Sequence, residues 1–280
     1  MLTVGVDIAK GRATTAICVV RWDADAATVE VPVVGADDAA ILAAATAPEV
    51  AAVAFDAPFG WPTAMVSAVS SWRPGGRWAS PSDAAFRLRR TDVAAAARTK
   101  ATVAARRTAG EPGLQPAVPL SVAADKIAMA AWRCCALLDA LAVREAEVVT
   151  DTLGVVFPPD GRRRVIEAYP AAALAMWGVP REGYKATGAM AVSVRKAILA
   201  VLEQTEGRGW VHWVPHARER CASTDHALDA FICALVARAA QLGFVEAVPS
   251  EHAAAARAEG WIAVPHREAL QSLVRRAGTS

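Results

Sequence analysis

Short apolar runs that stop at a carboxylate constrain this chain more than any other feature. LTVGVDI carries Asp7 near its end, VAAVAF runs into Asp56, and RRRVIEAYP runs into Glu167. Each run is too short for a stable helix and is rich in residues that suit a pleated, buried backbone, so each reads as a strand covered on both faces. Strands of that kind belong to sheets with helices packed on either side. In such sheets, ligand sites gather where strands end. An acid is not needed to finish an apolar strand, and three of them invite a chemical explanation.

The rest of the chain supplies the partners. Further strands are expected over 14–20 and 27–34, joined to the first by short polar or glycine-bearing turns. Asp37 and Asp38 can cap an alanine-rich helix that Pro48 ends. Helices are expected over 121–144, 190–204 and 225–242. GWIAVP reads as a final short strand, with one more helix running to Arg276. The order β-β-β-α-β, insertion, α, β, α, α predicts an α/β fold: a mixed five-stranded sheet flanked by helices, in one domain over 1–280.

Composition narrows the class. Hydrophobic residues make up 54% of the 280 and charged residues 21%, which excludes a mainly disordered chain. The first residues show no basic stretch followed by an apolar one, and no uncharged apolar run reaches the roughly 18 residues that span a bilayer. The five cysteines form no CxxC pair and fall mostly in apolar stretches. Together these predict a cytoplasmic protein with buried reduced thiols and no membrane partner.

Adjacent strands lie about 4.8 Å apart, so acids at neighbouring strand ends crowd one another. A divalent cation relieves that repulsion. Mg²⁺ and Mn²⁺ prefer oxygen ligands, and two ions about 3.5–4 Å apart can clamp the attacking and leaving oxygens of phosphodiester cleavage. Asp225 and Asp229 stand one helical turn apart and share a face. Asp229 precedes AFICALVA, so it projects from a buried helix where an unpaired carboxylate is costly. The expected metal ligands are Asp7, Asp56, Glu167, Asp225 and Asp229. His226 and Lys185 are expected to assist by proton transfer or phosphate neutralisation. Each acid taken singly also reads as a cap or turn residue, and Thr224 competes with Asp225 for the helix cap.

The segment 72–119 is a separate, partly helical insertion. Within it FRLRRTDVAAAARTKATVAARR carries seven basic residues and one acid. Arg87, Arg89, Arg90, Arg98 and Lys100, with Lys10 beside the first strand, are candidate contacts to nucleic-acid phosphates. Trp72 and Trp78 can stack on bases. Nucleotide-binding and serine-hydrolase glycine motifs are absent.

GVDIAKG, FDAPFGWP, VIEAYPAAAL, GYKATGAMAVSVRKAIL and DHALDAFICALVA resemble the DUF429 family of predicted RNase H-like nucleases, over most of the chain. The resemblance implies an RNase H-like fold and a metal-dependent nuclease site. It maps the family's first-strand, fourth-strand, fifth-strand and helix acids onto Asp7, Asp56, Glu167 and Asp229. His226-x-x-Asp229 also looks like the last motif of some RuvC-type resolvases, which carry glutamate where Asp56 stands. The expected function is hydrolysis of phosphodiester bonds in nucleic acid. Two alternatives are a phosphotransferase of the actin-like ATPase group, which needs a second glycine-rich phosphate loop, and a non-catalytic nucleic-acid-binding protein.

Overall fold

The structure, a computed structural model, describes residues 1–74, 84–111, 113–141, 164–205 and 208–274. Its first half contains strands β1 (Leu2–Asp7), β2 (Ala16–Trp22), β3 (Ala27–Val29) and β4 (Val33–Val34), helix α1 (Asp38–Thr46), β5 (Val50–Asp56) and helices α2 (Thr63–Ser71), α3 (Ala84–Arg87), α4 (Arg90–Thr108) and α5 (Ala128–Ala140). Then come β6 (Arg164–Glu167), α6 (Pro170–Trp177), α7 (Ala189–Leu202), the small hairpin β7 (Gln204–Thr205) and β8 (Arg208–Gly209), β9 (Val211–Trp213), α8 (Ala217–Ser223), α9 (Asp225–Gln241), α10 (Ala253–Glu259) and α11 (Ala269–Ser272).

The sheet has seven strands rather than the expected five. Its order is β6-β5-β1-β2-β3-β9, with β4 also paired to β2. β1 runs antiparallel to β2 and parallel to β5, and β5 runs parallel to β6. Two differences account for the count. The run 27–34 breaks at Pro32, which has no N–H to give a ladder, so it forms two short strands. β9 is three residues long and pairs in parallel with β3, a length that carries no periodicity. GWIAVP makes isolated bridges, Glu167 with Ile262 and Val245 with Pro265, in place of a strand. The segment 121–127 forms turns, and its helix starts at Ala128. The expected ends at 142–144 and at Arg276, together with Trp78, lie outside the described residues.

Side chains alternate across the sheet and divide it into two apolar layers. Val4, Val6, Val53, Phe55 and Val165 face α1 and α5. Ala52, Ala54 and Ile166 face α6 and α9. α9 is buried on nearly every side from Ala227 to Ala240 and crosses the middle of the sheet. It approaches β1 so closely that a Cβ on Gly5 would lie 1.9 Å from the Ala230 carbonyl oxygen. Only glycine fits there, and this contact brings the start of α9 over the end of β1. Thr3 strengthens the seam, donating its hydroxyl to the Ala234 carbonyl while accepting from the Trp22 indole.

The helix of the basic segment is not a detached decoration. α4 buries Thr91, Asp92, Ala95, Thr99, Thr102 and Val103, and Val103 packs with Leu114 on Ala171, Ala172 and Ala175 of α6. Among the described residues no helix is long and apolar enough to cross a membrane, and all five cysteines are buried.

Candidate active site

Register decides which acids meet. Asp7 pairs with Asp56 across β1 and β5, so both side chains leave the sheet on the same side. That side is the one α9 covers. α9 begins at Thr224, whose hydroxyl caps the helix by accepting from the His226 N–H. One turn in, His226 and Asp229 point back at the strand ends. His226 Nδ1 lies 2.7 Å from Asp7 Oδ2. Asp229, 1% exposed, accepts from the Tyr184 hydroxyl at 3.0 Å on one oxygen and from Lys185 Nζ at 2.7 Å on the other.

The loop that carries Tyr184 and Lys185 is held from below. Buried Arg195 on α7 donates to the Tyr184 and Ala186 carbonyls, and also to those of Ala222 and Ser223 just before α9. Gly183 and Gly188 bracket the loop at φ +82 and +90, values that suit glycine. Lys185 is therefore a placed cation, not a loose loop lysine. Tyr184 and Arg195 were not singled out in the sequence; the only signal for Tyr184 was its place beside Lys185.

Asp56 is different. Among the described residues no hydrogen bond or ion pair reaches its carboxylate. Burial pushes its pKa well up; Lys185 pulls it back, and Asp7, Asp229 and Glu167 push it further. Burial likewise raises Asp229 to about 6, against the pull of Lys185 and with the push of Asp7. The hydrogen bond to Asp7 raises His226 above the usual imidazole value. Three crowded carboxylates thus face one ammonium and one imidazole.

Glu167 lies apart from these three. It pairs with Phe55, one position short of Asp56, so its side chain leaves the opposite face. There Arg89 takes both of its oxygens, at 2.6 and 2.9 Å, and the Phe59 N–H adds a third contact at 3.1 Å. Asp92 accepts from the other edge of the same guanidinium. The Glu259 carbonyl accepts from Arg89, and the Glu259 carboxylate accepts from the N–H groups of Arg90 and Thr63. Gly260 permits the approach: at φ +79, a Cβ there would sit 2.6 Å from Glu167 Oε2. Glu167 and Arg89 still line, with Asp7, Asp56 and Lys185, a cleft of about 210 Å³.

This corrects two expectations. Arg89, 2% exposed and fully paired, is inside the protein and not on a phosphate-binding face. Glu167 spends its oxygens on Arg89. Asp225, in the first turn of α9, is absent from the cleft lining, as are His226 and Asp229, and its charge helps to raise the His226 pKa. Arg87, Arg90, Lys10 and Lys100 are exposed, as is Arg98, which pairs with Glu246. Trp72 is 54% exposed. The glycine pair at 75–76, the nearest thing to a second phosphate loop, lies outside the described residues.

Among the described residues no three His, Cys, Asp or Glu side chains form a ready-made cage for a metal ion. The donors fit a single hard ion nonetheless. Mg²⁺ is commonly held by one or two carboxylates, with substrate phosphate and water completing its shell. Asp56 is a half-buried oxygen donor with no partner among the described residues, and Asp7 beside it gives only one oxygen to His226.

Residues 5–254 match the family model DUF429, protein of unknown function. No curated protein matches the chain, and no solved structure matches it. With nearly all of its length inside that match, the chain belongs to the DUF429 family.

Proposed function

We propose that this protein is a metal-dependent nuclease of RNase H-like fold that hydrolyses phosphodiester bonds with one divalent ion, Mg²⁺ or Mn²⁺. The observation that carries the reading is the half-buried Asp56 carboxylate, which has no hydrogen-bond or ion-pair partner among the described residues and lines an open cleft beside Asp7. The sheet order β3-β2-β1-β5-β6, with its acids at the strand ends and on α9, supports the RNase H-like assignment.

Asp7 and Asp56 would hold the ion, and Asp229 would join them when Lys185 moves to a substrate phosphate. A bound ion supplies charge to a phosphoryl oxygen and acidifies the attacking water. The chain's own groups do the rest. Tyr184 fixes the rotamer of Asp229. Lys185, tethered by the Arg195-anchored loop, neutralises phosphate charge. His226 holds Asp7 in place through Nδ1 and, with its raised pKa, is the group placed to return a proton to the leaving oxygen. Arg89 and Glu167 hold the backbone at Phe59, beneath the cleft, in a fixed position.

The test is incubation of purified protein with labelled DNA and RNA, single-stranded and duplex, in Mn²⁺, beside Asp7→Asn and Asp56→Asn. Cleavage by the wild type alone supports the reading. If no substrate is cut, or all three proteins cut equally, the reading is overturned.

A further inference from the structure

The cleft has a second wall that phosphate chemistry does not use. Besides Asp7, Asp56 and Lys185, it is lined by Pro119, Leu120, Ile127, Ala130 and Tyr169. Resting on the nuclease reading, we infer that the substrate is single-stranded nucleic acid: one unpaired nucleotide enters the cleft with its base against this wall and its phosphate at the acids.

The wall is built rather than incidental. Tyr169 follows β6 and opens α6, and its hydroxyl donates to the Val118 carbonyl at 3.0 Å. That bond fixes the ring and the strip 118–120 together. At the strip's far end Ser121 is tied twice: its N–H donates to Asp125 at 2.7 Å and its hydroxyl donates to the Arg87 carbonyl. Between these anchors Leu120 stays 52% exposed. Burial raises the Tyr169 pKa to about 12, with Asp56 as the largest charge acting in the same direction, so the ring beside the acids is a neutral aromatic face.

The occupant must therefore carry a flat apolar part and an anionic part within one nucleotide's reach. A duplex presents sugar and phosphate outward and keeps its bases stacked, so phosphate contacts alone would suffice for it. An unpaired base can leave the stack and lie on an aromatic ring, a contact that tolerates any sequence.

Binding is measured by fluorescence anisotropy with Asp7→Asn protein in Mn²⁺, so that cleavage does not intervene. The probes are a labelled single strand, its duplex, and an abasic strand of equal length. The inference expects the single strand to bind at least about tenfold more tightly than the other two. It expects Leu120→Asp, at a half-exposed position that tolerates polarity, and Tyr169→Ala each to remove most of that difference, while Tyr169→Phe keeps it. Equal binding of the three probes, or an unchanged preference in Leu120→Asp, overturns it even if the wild type cleaves DNA or RNA. Base-dependent binding without cleavage by the wild type supports the base wall and overturns the hydrolytic reading instead.

Discussion

Arg89 sets its guanidinium flat against Glu167, with both carboxylate oxygens held at 2.6 and 2.9 Å and both side chains 2% exposed. The pair joins the start of α4 to the end of β6, 78 residues apart in sequence. Removing one partner strands the other as an unpaired buried charge. Arg89→Met is expected to lower unfolding free energy by about 3–5 kcal/mol, read by urea denaturation. The double variant Arg89→Met/Glu167→Gln should recover part of that loss, because one of the two stranded carboxylates is gone while Asp92 stays without its guanidinium. A double variant as unstable as the sum of the two singles would show that the pair is not coupled.

Lys185 competes with a metal ion for Asp229. Its ammonium sits on one of the two oxygens and attracts Asp56 as well. Lys185→Met frees that oxygen and removes a positive charge from the site. Divalent affinity, measured by calorimetric titration with Mn²⁺, is expected to rise several-fold, while cleavage falls because the phosphate loses its partner. Lys185→Arg should keep the wild-type affinity. An unchanged or weaker Mn²⁺ affinity in Lys185→Met counts against the competition.

The three strand-end acids were legible because buried strands leave an unmistakable apolar run, and a carboxylate at its end stands out. Asp229 was legible for the same reason, as a charge on a helix otherwise apolar all round. What the sequence could not show was the register. Whether Glu167 falls beside Asp56 or beside Phe55 is a shift of one residue, yet it sends the carboxylate to the opposite face. Arg89 was misjudged for a related reason. A basic run reads as a solvated or phosphate-binding face, and nothing in its spacing reveals that one of its arginines meets an acid 78 positions away.

Gly5 is the closest contact between β1 and α9, and its neighbours leave no room for a methyl group. In Gly5→Ala the Cβ would lie 1.9 Å from the Ala230 carbonyl and 2.3 Å from the Ala234 nitrogen, both backbone atoms that cannot swing aside. Overpacking of this kind costs about 1–3 kcal/mol or more. Separating β1 from α9 also pulls Asp7 from His226 and Asp229, so cleavage should fall further than the folded fraction does. Gly11→Ala is the control, since nothing lies within 4 Å of its added Cβ and its φ is −139. Its melting temperature should match the wild type. Equal melting temperatures for all three proteins would mean that the seam yields easily.

Asp229 gives the pH dependence its sign. Its folded pKa, about 6, lies above the ordinary 3.8, chiefly through burial. Between these values the folded protein holds more protons than the unfolded chain, so this group's contribution to stability falls as pH rises from about 4 to 6. The loss is on the order of 3 kcal/mol. His226 acts in the same sense over a higher window. Its pKa is raised by Asp7, so its stabilisation is complete below the ordinary imidazole value and is lost as pH climbs through the raised one. Other carboxylates pull the opposite way, which makes the difference between wild type and Asp229→Asn the quantity to measure. Urea denaturation at pH 4 and pH 7 should show the wild type losing stability relative to the variant. Cleavage should run in the reverse direction, rising through about pH 6 as Asp229 ionises and metal binding strengthens. Parallel stability curves for the two proteins would show that Asp229 titrates no differently in the folded state.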